Sequence, residues 1–341
     1  MKKIPILIYC IAFVFIINLL IQKHDTAYAA APKIIKFATL APQGSTWLNV
    51  VNDVSEELKE KSDGKLRLKI YAGGVAGDEK DVLRKMRIKQ IHCAGFTGVG
   101  LGEILNEVRV FDLPFVFKAY DEIDFVRNAL NERFEKGFEK KGYILLGWTD
   151  VGFVYFFSNI KIDSMDALRS TKMWIWEGDP VAKALFDAIK LRPVPLSITD
   201  VMTSLQTGLI NSVYVSPLGA VALQWFTKVK YMLDVPLANA VGAILISKKV
   251  YSSMEPDMQK LLKSTFKKHM ERLTEMTRED NKGSIEEIKK YGVEIISLDS
   301  KSAVEFDLVS KTVSDAVSGT VFPAELIDSV NTNIKEYRNL K

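Results

Sequence analysis

The sequence predicts an α/β fold in two lobes, joined at a hinge and crossed by one long helix. Three observations lead there. Short apolar runs alternate with helix-length amphipathic stretches over residues 34–97, and the same alternation starts afresh near residue 172. A helix-forming stretch over Pro256–Tyr291 then outruns one small lobe, at about 1.5 Å per residue and roughly 50 Å in all. Repeated strand–helix alternation marks parallel sheets with right-handed crossovers.

The elements follow in order. Residues 34–40 form a strand and 41–45 the loop after it. A helix over Thr46–Lys61 carries Trp47, Val50, Val51, Val54 and Leu58 at helical spacing. Leu66, Leu68 and Ile70 alternate with Arg67 and Lys69 as a half-buried strand. Residues 78–89 read as a helix and 92–97 as a third strand. Gly98-Val-Gly100-Leu-Gly102 invites a dinucleotide reading, but the fingerprint needs glycine where Glu103 stands, so a tight turn is expected. Phe111-Asp-Leu-Pro-Phe-Val-Phe117 has Pro114 at its centre and reads as a buried extended crossover. A helix over 121–140 precedes two strands, 143–149 and 153–159, joined by Asp150-Val-Gly152. Strands over 172–176, 192–196, 211–215, 228–233 and 241–247 alternate with helices over 180–189, 199–207 and 218–226. The Pro256–Tyr291 helix either crosses both lobes or breaks at Gly283, and one strand and two helices finish the chain. The expected division is lobe I from 33–153 and 241–256, lobe II from 154–240 and 293–341, and the long helix over 256–291.

Lys2 and Lys3 precede an apolar run over 4–21, and Ala27-Tyr28-Ala29 supplies a small-residue cleavage pattern. An export signal over 1–29, cut after Ala29, is expected; an anchor left in place is the alternative, since the run is long enough to span a bilayer. Without it only Cys93 remains of the two cysteines, which leaves no intrachain disulfide. With 341 residues, 48% hydrophobic content and a formal charge of +4, the composition is that of a globular chain without a nucleic-acid partner. Three scattered histidines supply neither a usual metal site nor a catalytic dyad, and no cofactor is called for. An extracytoplasmic enzyme using carboxylates such as Glu177 and Asp179 is the rival reading, with no nucleophile or metal motif behind it.

In Lys172-Met-Trp-Ile-Trp-Glu-Gly-Asp-Pro180 a bulky strand ends, the chain turns, and Asp179 and Pro180 open a helix. Ligands of open α/β sheets sit beyond such strand ends. Trp174 and Trp176 leave the same face. Spacing alone favours two core-filling indoles; the rest of the chain reverses that preference.

The chain resembles the solute-binding subunits of tripartite ATP-independent periplasmic (TRAP) transporters, typified by C4-dicarboxylate-binding proteins. The resemblance covers about residues 34–296 and rests on an ordered set of motifs. These are Phe37-Ala-Thr-Leu-Ala41, Gly73-Gly-Val-Ala-Gly-Asp78, Phe111-Asp-Leu-Pro-Phe-Val-Phe117, Gly147-Trp148 with Gly152-Phe153, Pro193-Val-Pro-Leu196 and Ser204-Leu-Gln-Thr-Gly-Leu-Ile-Asn211. It implies a two-lobed periplasmic binding protein fold, a small-molecule ligand between the lobes, and small and large membrane subunits as partners, with an accessory periplasmic protein possible in such systems. A sensor that signals to a membrane receptor is the alternative role.

The departures from the family pattern bear on the ligand. Organic-acid binders usually carry a carboxylate-clamping arginine where this chain has Trp174, and commonly a second where it has Val154. Tyr214 stands about where a charged or amide side chain belongs. An apolar or amphipathic ligand is therefore expected, walled by Trp47, Phe96, Val154, Tyr155, Trp174, Trp176 and Tyr214. Gln43, Ser45, Thr97, Glu177 or Ser216 would hold its polar end. An arginine arriving from elsewhere, Arg192 for instance, would restore an organic-acid site. Two indoles near Glu177 and Asp179 would also suit a quaternary ammonium group.

Overall fold

The computed structural model describes residues 31–341, so the apolar run over 4–21 and the expected cut after Ala29 lie outside the described residues. Strands β1 (Lys33–Ala38), β2 (Leu66–Tyr71) and β3 (Cys93–Thr97) are parallel neighbours in the order β2-β1-β3. Helices α1 (Thr46–Lys61) and α2 (Glu79–Arg87) connect them. Ser45 caps α1 by accepting from Leu48 N at 3.3 Å, and Asp78 and Asp81 form a capping box at the start of α2. Both helices turn their apolar stripes inward. Val50, Val51, Val54 and Leu58 bury against Ile35 and Phe37. Next come α3 (Gly98–Gly102), a 3-10 turn over Asn106–Asp112, and α4 (Tyr120–Lys140).

The second part of the chain contains β4 (Tyr143–Ser158), α5 (Met165–Arg169), β5 (Trp174–Trp176), α6 (Pro180–Ala188) and β6 (Val194–Leu196). It continues with α7 (Val201–Thr207), β7 (Ser212–Val215), α8 (Pro217–Ala222), β8 (Tyr231–Leu233) and β9 (Ala238–Ser247). Then come α9 (Lys248–Tyr251), α10 (Pro256–Tyr291), β10 (Glu294–Ile296), α11 (Ser300–Val317) and α12 (Ala324–Asn339). One sheet runs in the order β10-β8-β4-β9-β3-β1-β2, with β7 also on β4, while β5 and β6 form a separate parallel pair. The long antiparallel partners β4 and β9 carry the sheet from one lobe into the other.

Four expectations are corrected. The two strands expected over 143–159 are the single strand β4; Asp150-Val-Gly152 is taken up as a register irregularity, with Gly152 at φ 110°, not as a break. Gly98–Gly102 is a short helix, not a turn. The extended crossover at 111–117 begins inside the 3-10 turn, and only its later part is extended or turning. The final helix, placed with lobe II from the sequence, packs on α4: Arg338 pairs with Glu122 at 2.7 Å, and the Tyr337 ring lies tilted against Phe125 with centroids 5.6 Å apart. Helix α10 is continuous through Gly283. Its Leu262, Phe266, Met270 and Leu273 join the first-lobe core, and its Ile288 joins the cluster around Trp174.

Candidate functional site

A cavity of about 230 Å³ lies between the two lobes. Leu40, Pro42, Trp47, Phe96 and Val99 line it on one side, and Trp174, Trp176, Val181, Tyr214 and Trp225 on the other. The aromatic wall is built on β5 and β7. Trp174 stacks on Tyr214 with ring centroids 5.0 Å apart, meets Trp225 edge-on at 5.4 Å, and lies 5.8 Å from Trp176. The polar tips are tied down: Trp174 Nε1 donates to Leu196 O at 3.1 Å, and Trp176 N donates to the Tyr214 hydroxyl at 3.2 Å. The indole faces are thereby fixed before any ligand arrives.

Nine of the expected site residues border this cavity: Ser45, Trp47, Phe96, Thr97, Val154, Trp174, Trp176, Tyr214 and Ser216. Gln43, Tyr155 and Glu177 do not. Strand alternation turns Tyr155 to the face opposite Val154. Gln43 and Glu177 are exposed at turns, and Glu177 is held through its backbone, its N–H donating to Leu196 O at 3.3 Å and its carbonyl accepting from Lys80 Nζ at 2.7 Å. Ser45 and Thr97 are committed as helix caps, and the Thr97 hydroxyl also donates to Glu79 at 2.9 Å. Ser216 Oγ caps α8 at 3.1 Å.

A buried charge cluster that the sequence reading missed stands at the cavity wall. Arg109 is 4% exposed; its Nε donates to Asp112 at 2.6 Å, and its Nη2 lies 2.9 Å from both oxygens of Asp179. Asp179 also accepts from Val181 N and Ala182 N at the start of α6. Burial works against the Arg109 charge, but Asp179 and Asp112 outweigh it and raise its pKa. Burial pushes Asp112 up to about 6 against the pull of Arg109, and burial likewise raises the Tyr214 hydroxyl, with Asp179 adding to the shift. Arg192, the arginine considered from sequence, is exposed and away from the cavity. The signal that could have found Arg109 is the glycine series. A Cβ at Gly98 would collide with Asp112, at Gly100 it would sit 2.5 Å from Glu79, and at Gly102 2.7 Å from Arg109 Cδ. The alternate glycines of α3 make room for side chains, not for a phosphate.

Polar contacts hold the lobes together across the cavity. Asp78, besides capping α2, accepts from Trp176 Nε1 at 3.0 Å, Ser197 Oγ at 2.7 Å and Ile198 N at 3.3 Å. The Arg109–Asp179 pair makes a second crossing. Asn239, on β9, also lines the cavity, and neither polar atom of its side chain has a partner among the described residues.

The profile of a family described as bacterial extracellular solute-binding protein, family 7, matches residues 37–318. The C4-dicarboxylate-binding periplasmic protein DctP of Rhodobacter capsulatus is 22% identical over 313 residues, 90% of this chain and 92% of its own. The 2,3-diketo-L-gulonate-binding periplasmic protein YiaO of Escherichia coli is 24% identical over 274 residues, 77% of this chain and 78% of its own. A solute-binding protein of Chromohalobacter salexigens is 26% identical over 159 residues, a match that spans 46% of this chain and 47% of that protein. Among solved structures, the sugar acid binding protein of Advenella mimigardefordensis in complex with galactonate superposes with a TM-score of 0.84 at 17% identity, over 90% of this chain and 99% of that one. A TRAP periplasmic solute-binding protein of Shewanella oneidensis with bound succinate gives 0.83 at 16% identity, over 89% and 100%. With the family profile matched over most of its length and its two-lobed fold shared with TRAP solute-binding proteins, the chain belongs to the bacterial extracellular solute-binding protein family 7, the DctP family.

Proposed function

We propose that this protein is the extracytoplasmic solute-binding component of a TRAP transporter, and that its cargo is a small apolar or amphipathic molecule held between the lobes. The export signal is removed after Ala29, and the loaded form docks on the small and large membrane subunits. The observation that carries the cargo class is the state of Arg109. It is the sole Lys, Arg or His among the described lining residues, and two carboxylates already share it. A ligand carboxylate would enter as a third anion. Burying an unpaired charge costs several kcal/mol, whereas each methylene laid against the aromatic wall gains about 0.8 kcal/mol. The positions where an organic-acid binder of this family carries its arginines are here Trp174 and Val154, both at the cavity.

A second reading has its own support, since the Advenella structure is a complex with galactonate and the Shewanella structure holds succinate. In that reading Asp112, with its raised pKa, takes a proton and yields Arg109 to the ligand. Thermal-shift measurements at neutral pH separate the two. Indole and medium-chain alcohols are expected to raise the Tm, and succinate and galactonate to leave it unchanged. Trp174→Arg should reverse the order, gaining carboxylate binding of roughly tenfold or more through a charge-assisted contact. A wild-type protein stabilised by the acids and not by the neutral compounds contradicts the apolar-cargo reading. Choline binding that Trp174→Arg abolishes would instead point to a cation cage.

A further inference from the structure

Asparagine is a poor choice for a strand interior, and a buried carboxamide brings one acceptor and two donors that need partners. Asn239 lies in β9 with its backbone paired opposite Phe153, and its side chain is fully buried. Among the described residues neither its Oδ1 nor its Nδ2 has a partner. The other buried side chains with orphaned atoms, Thr149, Thr277 and His269, do not line the cavity; Asn239 does. Packing alone would be served by an apolar residue, as it is at Leu237 and Val241 on either side.

The remaining polar groups of the wall are largely engaged. Ser45 and Thr97 cap helices, Glu79 accepts from Thr97 N, Thr97 Oγ1 and Gly100 N, and Asp112 and Asp179 hold Arg109. Asn239 is the lining side chain whose donor and acceptor are both unmet. We infer that the Asn239 carboxamide is the recognition group of the cleft, and that it selects cargo bearing a neutral donor–acceptor edge, a carboxamide or lactam, at one end of an apolar body. Such an edge meets Oδ1 with its N–H and Nδ2 with its carbonyl, in two parallel hydrogen bonds. An ionised carboxylate satisfies Nδ2 alone and turns lone pairs toward Oδ1. It would also approach Asp112, whose Oδ1 accepts from Val241 N at 3.5 Å, two residues along the same strand. This specificity deepens the apolar-cargo reading and rests on it.

Three probes of one shape test it on the full mature chain: phenylacetamide, the methyl ketone phenylacetone, and phenylacetate, each titrated by calorimetry into wild type and Asn239→Leu. The wild type is expected to bind the amide at least about tenfold more tightly than the ketone, the ratio expected when a buried acceptor, here Asn239 Oδ1, is left unmet. Asn239→Leu should erase that ratio, because the amide loses two hydrogen bonds and the ketone only the one its carbonyl accepts from Nδ2, so the amide weakens by about tenfold more than the ketone. Equal binding of amide and ketone by the wild type overturns the inference and leaves the apolar-cargo reading standing. Phenylacetate bound in preference to both overturns the apolar-cargo reading and, with it, the inference. If none of the probes binds, the ligand-free Tm decides. An amide kept for cargo is unpaired in the empty protein, so Asn239→Leu should melt at or above wild type; a clear drop makes the amide structural and overturns the proposal.

Discussion

The Glu79 carboxylate sits buried at the first turn of α2, where burial pushes its pKa up to about 7 against hydrogen bonds from Thr97 and Gly100 and with Asp78 adding to the rise. A carboxyl whose folded pKa lies above its ordinary 4.5 binds its proton more tightly in the native state. Its contribution to stability therefore grows as pH falls from above about 7 toward 4.5, and is lost again as pH rises through 7. Glu79→Gln should flatten that part of the stability–pH curve, read as the wild-type-minus-variant difference in denaturant midpoint. A difference that does not vary between those pH values would mean Glu79 titrates normally. At this scale the sequence was partly legible. Trp174 and Val154 could be placed at the cavity because strand alternation and family position agree. Arg109 was harder to place, because it projects from a 3-10 turn, which lacks the strong periodicity by which apolar strands and helices announce a face, and only the alternate glycines of α3 hinted at it. The polar residues chosen beside the cavity were misjudged for a related reason. Ser45 and Thr97 look available in a sequence, yet each opens a helix and is spent on an unsatisfied backbone N–H.

Among the elements, α10 was the most legible, since Met258, Leu261, Leu262, Phe266 and Met270 repeat at helical spacing and Gly292, at φ 105°, stops it in the left-handed conformation. Gly283 is the weak point of this 36-residue helix, and a Cβ there would meet nothing within 4 Å. Gly283→Ala should raise stability by about 0.5–1 kcal/mol, the usual difference between the two residues inside a helix. Chemical denaturation measures it, and a loss of stability would show that the helix relies on a kink at this point. Strand β4 was less legible, because Asp150-Val-Gly152 carries the composition of a loop. The structure keeps the pairing with β9 through it: Asn281 of α10 donates to Val151 O at 3.1 Å, and Arg278 holds Asp150 at 2.7 Å. Long-range partners of that kind override local turn composition.

At the scale of the whole molecule, strands β4 and β9 and helix α10 tie the lobes together while Asp78 and the Arg109–Asp179 pair hold them face to face. The two-lobed plan was legible from the renewed strand–helix alternation at residue 172. The return of α12 to α4 was not, because the contacts seen there, Arg338 and Tyr337 meeting Glu122, Asp121 and Phe125, join residues more than 200 positions apart, which no local pattern announces. What the assembled cleft carries is the central question, and it can be read directly by native mass spectrometry of the exported protein purified from a host extract without denaturation. The account predicts a retained, uncharged compound with an apolar body, released on unfolding; a retained organic acid of the succinate or galactonate type would contradict it.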